Sequence, residues 1–150
     1  MAFLMSDSTE LSIDITQTVE INASPEEAWR SLIRRLSVEN STPDNQPMPM
    51  VLEERPGGRW FRDLGDDQGH LWGFVQVIKP PRLLEIHGPM FMSCAVAGHI
   101  QLRVTPTDSG CELSLRHRVL GFVGESHRQG LTHGWTPLLE RTKQFAEDAG

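Results

Sequence analysis

The sequence predicts an α+β fold in which a curved antiparallel sheet wraps around a long C-terminal helix. Three observations carry this expectation. The chain opens with strict alternation of apolar and polar residues, continues as a train of short strands divided by turn residues, and changes to helical period after about Gly124.

The first strand begins at Leu11, where Leu11, Ile13, Ile15, Val19 and Ile21 alternate with Ser, Asp, Thr and Glu. Period two with polar partners describes a strand with one wet face. The motif NASPEEAW ends it. Ser24 suits an N-cap, Pro25 the first helical position, and Glu27 completes a capping box. Ala28, Trp29, Leu32, Ile33 and Leu36 then recur at helical spacing, so a short amphipathic helix should end near Leu36. The polar, proline-rich span that follows, residues 37–49, comes too early to divide two domains, because some 36 residues cannot build an independent core. It reads as a long internal loop of the kind that often carries function.

Strands are expected over Met50 to Glu54, Arg59 to Leu64, His70 to Ile78, Leu83 to His87, Met90 to Val96, His99 to Thr105 and Cys111 to Leu120. RPGG, GDDQG, KPPR, HGP, AG and PTDSG separate them, all rich in residues that reverse a chain. Connections this short enforce antiparallel pairing, since a parallel crossover needs a dozen residues or more. From Gly124 to Ala149, Leu131, Trp135, Leu138, Leu139, Thr142, Phe145 and Ala146 trace one helical face. Pro137 interrupts it, which predicts a kink near Gly134 or two abutting helices. A sheet that curls around such a helix often leaves volume between the two, where a ligand can sit.

The 150 residues suit a single domain over residues 11–149 preceded by a flexible leader, residues 1–10. A net charge of −6 gives no footprint for nucleic acid or an anionic membrane surface. MAFLMSDSTE lacks the features of a secretory signal, and no apolar run is long enough for stable membrane insertion, so a cytoplasmic location is expected. Cys94 and Cys111 form no CxxC pair and read as buried or half-buried thiols.

Several stretches invite functional readings. RPGGRW lacks the GxxxxGK[ST] of a phosphate-binding loop and leads into an aromatic strand, so Gly57 and Gly58 read as a tight turn. Asp63, Asp66 and Asp67 lack the spaced ligands and closing Glu of a calcium loop and read as a solvated hairpin tip. His87, His99 and His117 could approach one another across strands, but no metal-binding motif supports them, and no metal or other cofactor is expected. His70, His99, Glu85 and Arg116 are acid or base candidates by type only. The aromatics are more informative. Trp60 shares strand parity with Arg62, and Trp72 with His70, Phe74 and Gln76, which suits either core packing or an apolar pocket with a few directing polar groups. The candidate ligand-contacting set is Trp60, Trp72, Phe74, Ile86, Met92 and His99 on the strands, with Trp135 and Leu138 on the helix.

GGRWFRD, GFVQVIKPPRLLEI, LRVTPTDSGCELSLRH and GWTPLLERTKQF, with the SPEEAW helix opening, resemble the family named for activators of the heat-shock protein 90 ATPase. That family lies within the START-like, polyketide-cyclase-like (SRPBCC) superfamily. The resemblance spans roughly residues 12 to 147. It falls on Trp29, Gly57, Gly58, Trp60, Gly73, Val75, Pro80, Pro81, Leu84, Gly134 and Trp135, which are mostly scaffold positions. It implies the helix-grip fold, also called START-like or birch-pollen-allergen-like. The short WFRDLGDDQG hairpin, the long loop before Met50 and the HRQGLTHGWTP entry to the last helix depart from the family pattern. These departures bear on pocket shape.

The function expected from residues and resemblance together is binding of a small hydrophobic, amphipathic or lipid-like ligand between sheet and helix. The alternatives are a polyketide cyclase or aromatase-like enzyme and a co-chaperone-like module. The chaperone partner is the weakest of these, since no additional chaperone-binding domain is evident. A homodimer is compatible with the sequence and not required by it.

Overall fold

A computed structural model describes residues 12–150; the leader expected over residues 1–10 lies outside them. The elements in chain order are β1 (Ser12–Ile21), α1 (Pro25–Leu36), β2 (Val51–Leu52), β3 (Arg59–Gly65), β4 (Gln68–Lys79), β5 (Leu83–His87), β6 (Val96–Thr107), β7 (Gly110–Gly121), α2 (Glu125–Gly134) and α3 (Thr136–Asp148). The strands form one seven-stranded sheet in the order β1-β7-β6-β5-β4-β3-β2. Every pairing is antiparallel. The architecture is the helix-grip, START-like one: a meander from β2 to β7, completed by β1 on β7, with the C-terminal helices against it. No helix among the described residues is long and apolar enough to cross a membrane.

Local chemistry sets the elements. Ser24 Oγ accepts from the Glu27 amide at 3.2 Å, and Pro25 opens α1. In the β3–β4 hairpin Asp66 and Asp67 have φ of 53° and 58°, the paired left-handed conformation of a two-residue turn whose twist matches the strands. Gly57 has φ of +78°, and a Cβ on Gly58 would lie 2.0 Å from the Glu53 carbonyl oxygen, so both glycines serve the turn before β3.

Two expectations change, and a third settles on one of its two alternatives. The strand expected over Met90 to Val96 does not form before Val96, because Pro89 removes a donor and Met90 has φ of 57°, which turns the chain. Strand β2 is shorter than Met50 to Glu54 and pairs only Val51 with Phe61 and Leu52 with Trp60. The C-terminal segment resolves into two abutting helices, with Trp135 between them and Pro137 in the first turn of α3, where its missing N–H is harmless.

Two apolar clusters fill the space beneath the helices. The larger contains Trp29, Leu32 and Leu36 of α1, Trp60, the inward residues of β4 to β7, and Trp135, Leu138 and Leu139. The smaller gathers Met92, Val119 and Leu131 under α2. Helix α3 is tied to β1 at its C-terminal end: Glu147 Oε2 accepts from the Asn22 amide at 2.8 Å and from Lys143 Nζ at 2.6 Å. Lys143 Nζ also donates to the Glu20 carbonyl. The other end of α3 abuts α2 at Trp135.

Candidate functional site

At that end lies a cavity of about 610 Å³. Its floor is the indole pair Trp60 and Trp72, which meet edge to face with ring centroids 5.0 Å apart. Trp60 is fully buried and donates Nε1–H to the Leu36 carbonyl at 2.8 Å, closing the C-terminal turn of α1. Trp135, Pro137 and Leu138 form the helical wall, and Gly130 and Gly134 continue it along α2. A Cβ at either glycine would meet nothing within 4 Å, so both positions, one turn apart, border open space. Phe91 sits at the rim, 6.1 Å from Trp72 and 6.1 Å from Trp135 between ring centroids.

The remaining wall comes from the loop over residues 37–49. A Ser41–Pro47 bridge holds it, and Asn40 pairs with Met48 through both backbone and side chain. Asn40 Oδ1 accepts from Arg35 Nη1 at 2.6 Å, and the Ser41 carbonyl accepts from Nη2 at 3.4 Å. Arg35 lines the cavity, is only 3% exposed, and its Nε–H has no partner among the described residues. Burial, together with the nearby positive charge of Arg141, pulls its pKa down.

Four of the eight residues expected to contact a ligand line this cavity: Trp60, Trp72, Trp135 and Leu138. The other four do not. Between Trp60/Gly73 and Phe61/Leu71 the β3–β4 register skips Trp72, a bulge that ends simple alternation. Trp72 and Phe74 therefore stop sharing a face. Phe74 is 38% exposed and packs on His87, with ring centroids 5.9 Å apart. Ile86 is buried in the main core opposite Val75, and Met92 belongs to the small cluster under α2. His99 pairs with Glu85 at 3.1 Å, away from the cavity.

The histidines are divided by the sheet. His99 lies opposite Arg118 and His87, whereas His117 lies opposite Ile100 and is fully buried. This one-residue offset puts His117 on the inner face, and no group of three metal-ligating side chains forms among the described residues. His117 Nδ1 accepts from Trp135 Nε1–H at 3.0 Å, which leaves the ring proton on Nε2, buried and without a partner among the described residues. Burial chiefly, and the charge of His99 secondarily, hold its pKa down to about 4.

Arg35, Phe91 and the two α2 glycines are wall residues outside the expected set. Arg35 carried a readable signal. It falls seven residues after Ala28 and three after Leu32, so an arginine occupies the apolar face of an amphipathic helix.

Residues 22–147 match the Activator of Hsp90 ATPase homolog 1-like protein family. The chain belongs to that family. A comparison with curated protein sequences gives no match. Among solved structures, the di-domain ARO/CYC StfQ from the steffimycin biosynthetic pathway is similar with a TM-score of 0.69 at 18% identity. The comparison covers 95% of this chain but 53% of StfQ, so this Activator of Hsp90 ATPase homolog 1-like chain spans about half that protein's length. A putative uncharacterized protein from Rhizobium leguminosarum gives a TM-score of 0.69 at 15% identity, covering 91% of this chain and 95% of that one. CalU16 from Micromonospora echinospora gives 0.59 at 21% identity, covering 92% and 77%. Identities this low establish a shared fold.

Proposed function

We propose that the protein binds a small amphipathic molecule in the cavity between the sheet and the C-terminal helices, with Trp60, Trp72, Trp135 and Leu138 as apolar contacts. The observation that carries this reading is the cavity itself. About 610 Å³ falls in the range of small-molecule sites, and its wall is mostly apolar with polar groups contributed by α1, the 37–49 loop, β3 and β4. A helical glycine argues in the same direction. Gly130 lies inside α2, where a glycine is destabilising by roughly 0.5–1 kcal/mol relative to alanine, and it borders the cavity with open space beside it.

Three of the four tryptophans line the cavity, so ligand entry should change the intrinsic fluorescence. The test is native mass spectrometry of protein purified from its own host, followed by tryptophan-fluorescence titration with the molecule recovered. A bound molecule that perturbs the emission saturably supports the reading. Protein that carries nothing and responds to no member of a panel of aromatic and lipid-like amphiphiles counts against it.

A further inference from the structure

We infer that the molecule held in this cavity is an amphipathic acid, whose anionic group pairs with the charge of Arg35; the inference rests on the cavity reading above. Arg35 is almost fully buried, yet the only acceptors it meets among the described residues are neutral, Asn40 Oδ1 and the Ser41 carbonyl. The second contact is long at 3.4 Å, and Nε–H has none. An arginine cannot shed its proton to escape burial, so an unpaired one in a cavity wall is a charge awaiting its counter-ion.

The rest of the wall repeats the pattern. None of the residues lining the cavity is Asp or Glu, in a chain that has 20 of them and a net charge of −6. Arg62 and His70, cross-strand partners on β3 and β4, also line it, and among the described residues Arg62 donates only to the Pro49 carbonyl, at 3.5 Å. Elsewhere Arg30, Arg34, Arg59 and Arg116 each pair with a carboxylate, and Arg82, Arg103 and Arg141, which make no ion pair among the described residues, are exposed to solvent, as Arg35 is not. The two arginines on the cavity wall are without one among the described residues. The local charge is thus opposite to that of the whole protein, with the indoles placed for an apolar body and Arg35 for the head.

The test uses two fluorescent probes of nearly equal body, 8-anilinonaphthalene-1-sulfonate and uncharged N-phenyl-1-naphthylamine, titrated into wild type at low ionic strength. Binding that survives unchanged in Gly130→Leu, which adds a bulky side chain to the cavity wall, is discounted as surface binding. The sulfonate is expected to bind the cavity at least about tenfold more tightly, the lower end of what a charge-assisted hydrogen bond contributes. Arg35→Met should bring the two probes to within about twofold, Arg35→Lys should keep part of the preference, and Arg62→Met should reduce it less than Arg35→Met. Equal affinities in wild type overturn the acid while leaving the cavity reading intact. Failure of both probes to bind the cavity overturns that reading, and the inference with it. A folded Arg35→Met that keeps the full preference overturns the role of Arg35. If Arg35→Met does not fold, the wild-type ratio and Arg35→Lys decide.

Discussion

Trp135 donates its indole N–H to Nδ1 of His117 at 3.0 Å, joining the helical wall of the cavity to the floor of the sheet. The contact requires a neutral imidazole, because a protonated ring has no acceptor at Nδ1. The folded protein holds the pKa of His117 near 4, against an ordinary 6.5. Between those values the unfolded chain binds more protons than the folded one. The His117 contribution is therefore fully present above pH 6.5 and is lost as pH falls toward 4.

Urea unfolding at pH 7 and pH 4.5 should show this directly. Across that interval His117 alone should remove about 2 to 3 kcal/mol of stability. His117→Gln keeps an acceptor for Trp135 but cannot titrate, so its stability should fall less over the same interval. Carboxylates such as Asp14 and Glu53, held low by Arg116 and Arg59, titrate in both proteins and cancel in the comparison. Parallel profiles for wild type and His117→Gln would contradict the assignment.

The Trp60 indole supplies a second test of how the cavity floor is fixed. Its N–H satisfies the Leu36 carbonyl, one of the last four of α1 and without an intrahelical partner. Trp60→Phe retains an aromatic ring but leaves that buried carbonyl unpaired and a small void beside Trp72. The expected cost is roughly 2 to 4 kcal/mol, read as a lowered urea midpoint with unchanged slope. Trp72→Phe removes an indole that makes no hydrogen bond among the described residues and should cost less. Equal losses would assign the Trp60 effect to ring volume alone.

The same residues show where sequence reasoning reaches and where it stops. Alternation, capping and turn chemistry locate the elements and their antiparallel order, since each is encoded within a few adjacent residues. Strand parity does not survive the bulge at Trp72, which places Phe74 outside. The only local trace of this break is Gly73, where a Cβ would lie 2.6 Å from the His87 carbonyl oxygen. Met90 and Met92 mimic strand spacing, yet a left-handed Met90 after Pro89 turns the chain there. The cavity depends on what converges from α1, β3, β4, α2 and the 37–49 loop, and no short window holds that information.

The β3–β4 turn predicts a stabilising substitution. Asp66 and Asp67 both adopt left-handed conformations that cost an ordinary residue roughly 1–2 kcal/mol and glycine almost nothing. Replacing Asp66-Asp67 with Asn-Gly suits this two-residue turn better and removes two adjacent like charges. The double substitution should raise stability by about 0.5 to 1 kcal/mol, measured as an increased urea midpoint. A decrease would show that these carboxylates hold the hairpin by contacts of their own.

Gly130 separates stability from function. Alanine there meets no neighbour and removes backbone freedom from the unfolded chain, so Gly130→Ala should stabilise the fold by about 0.5 to 1 kcal/mol and leave most of the cavity open. Gly130→Leu keeps the helix-forming advantage but adds a branched side chain to the wall that Trp135 and Leu138 share. It should fold as well as wild type while losing at least about tenfold in affinity for whatever occupies the cavity, since an occupied volume cannot be shared without repacking. Thermal melts and fluorescence titration on the two variants read the effects separately. A Gly130→Leu protein that binds as tightly as wild type would place the ligand elsewhere on the molecule.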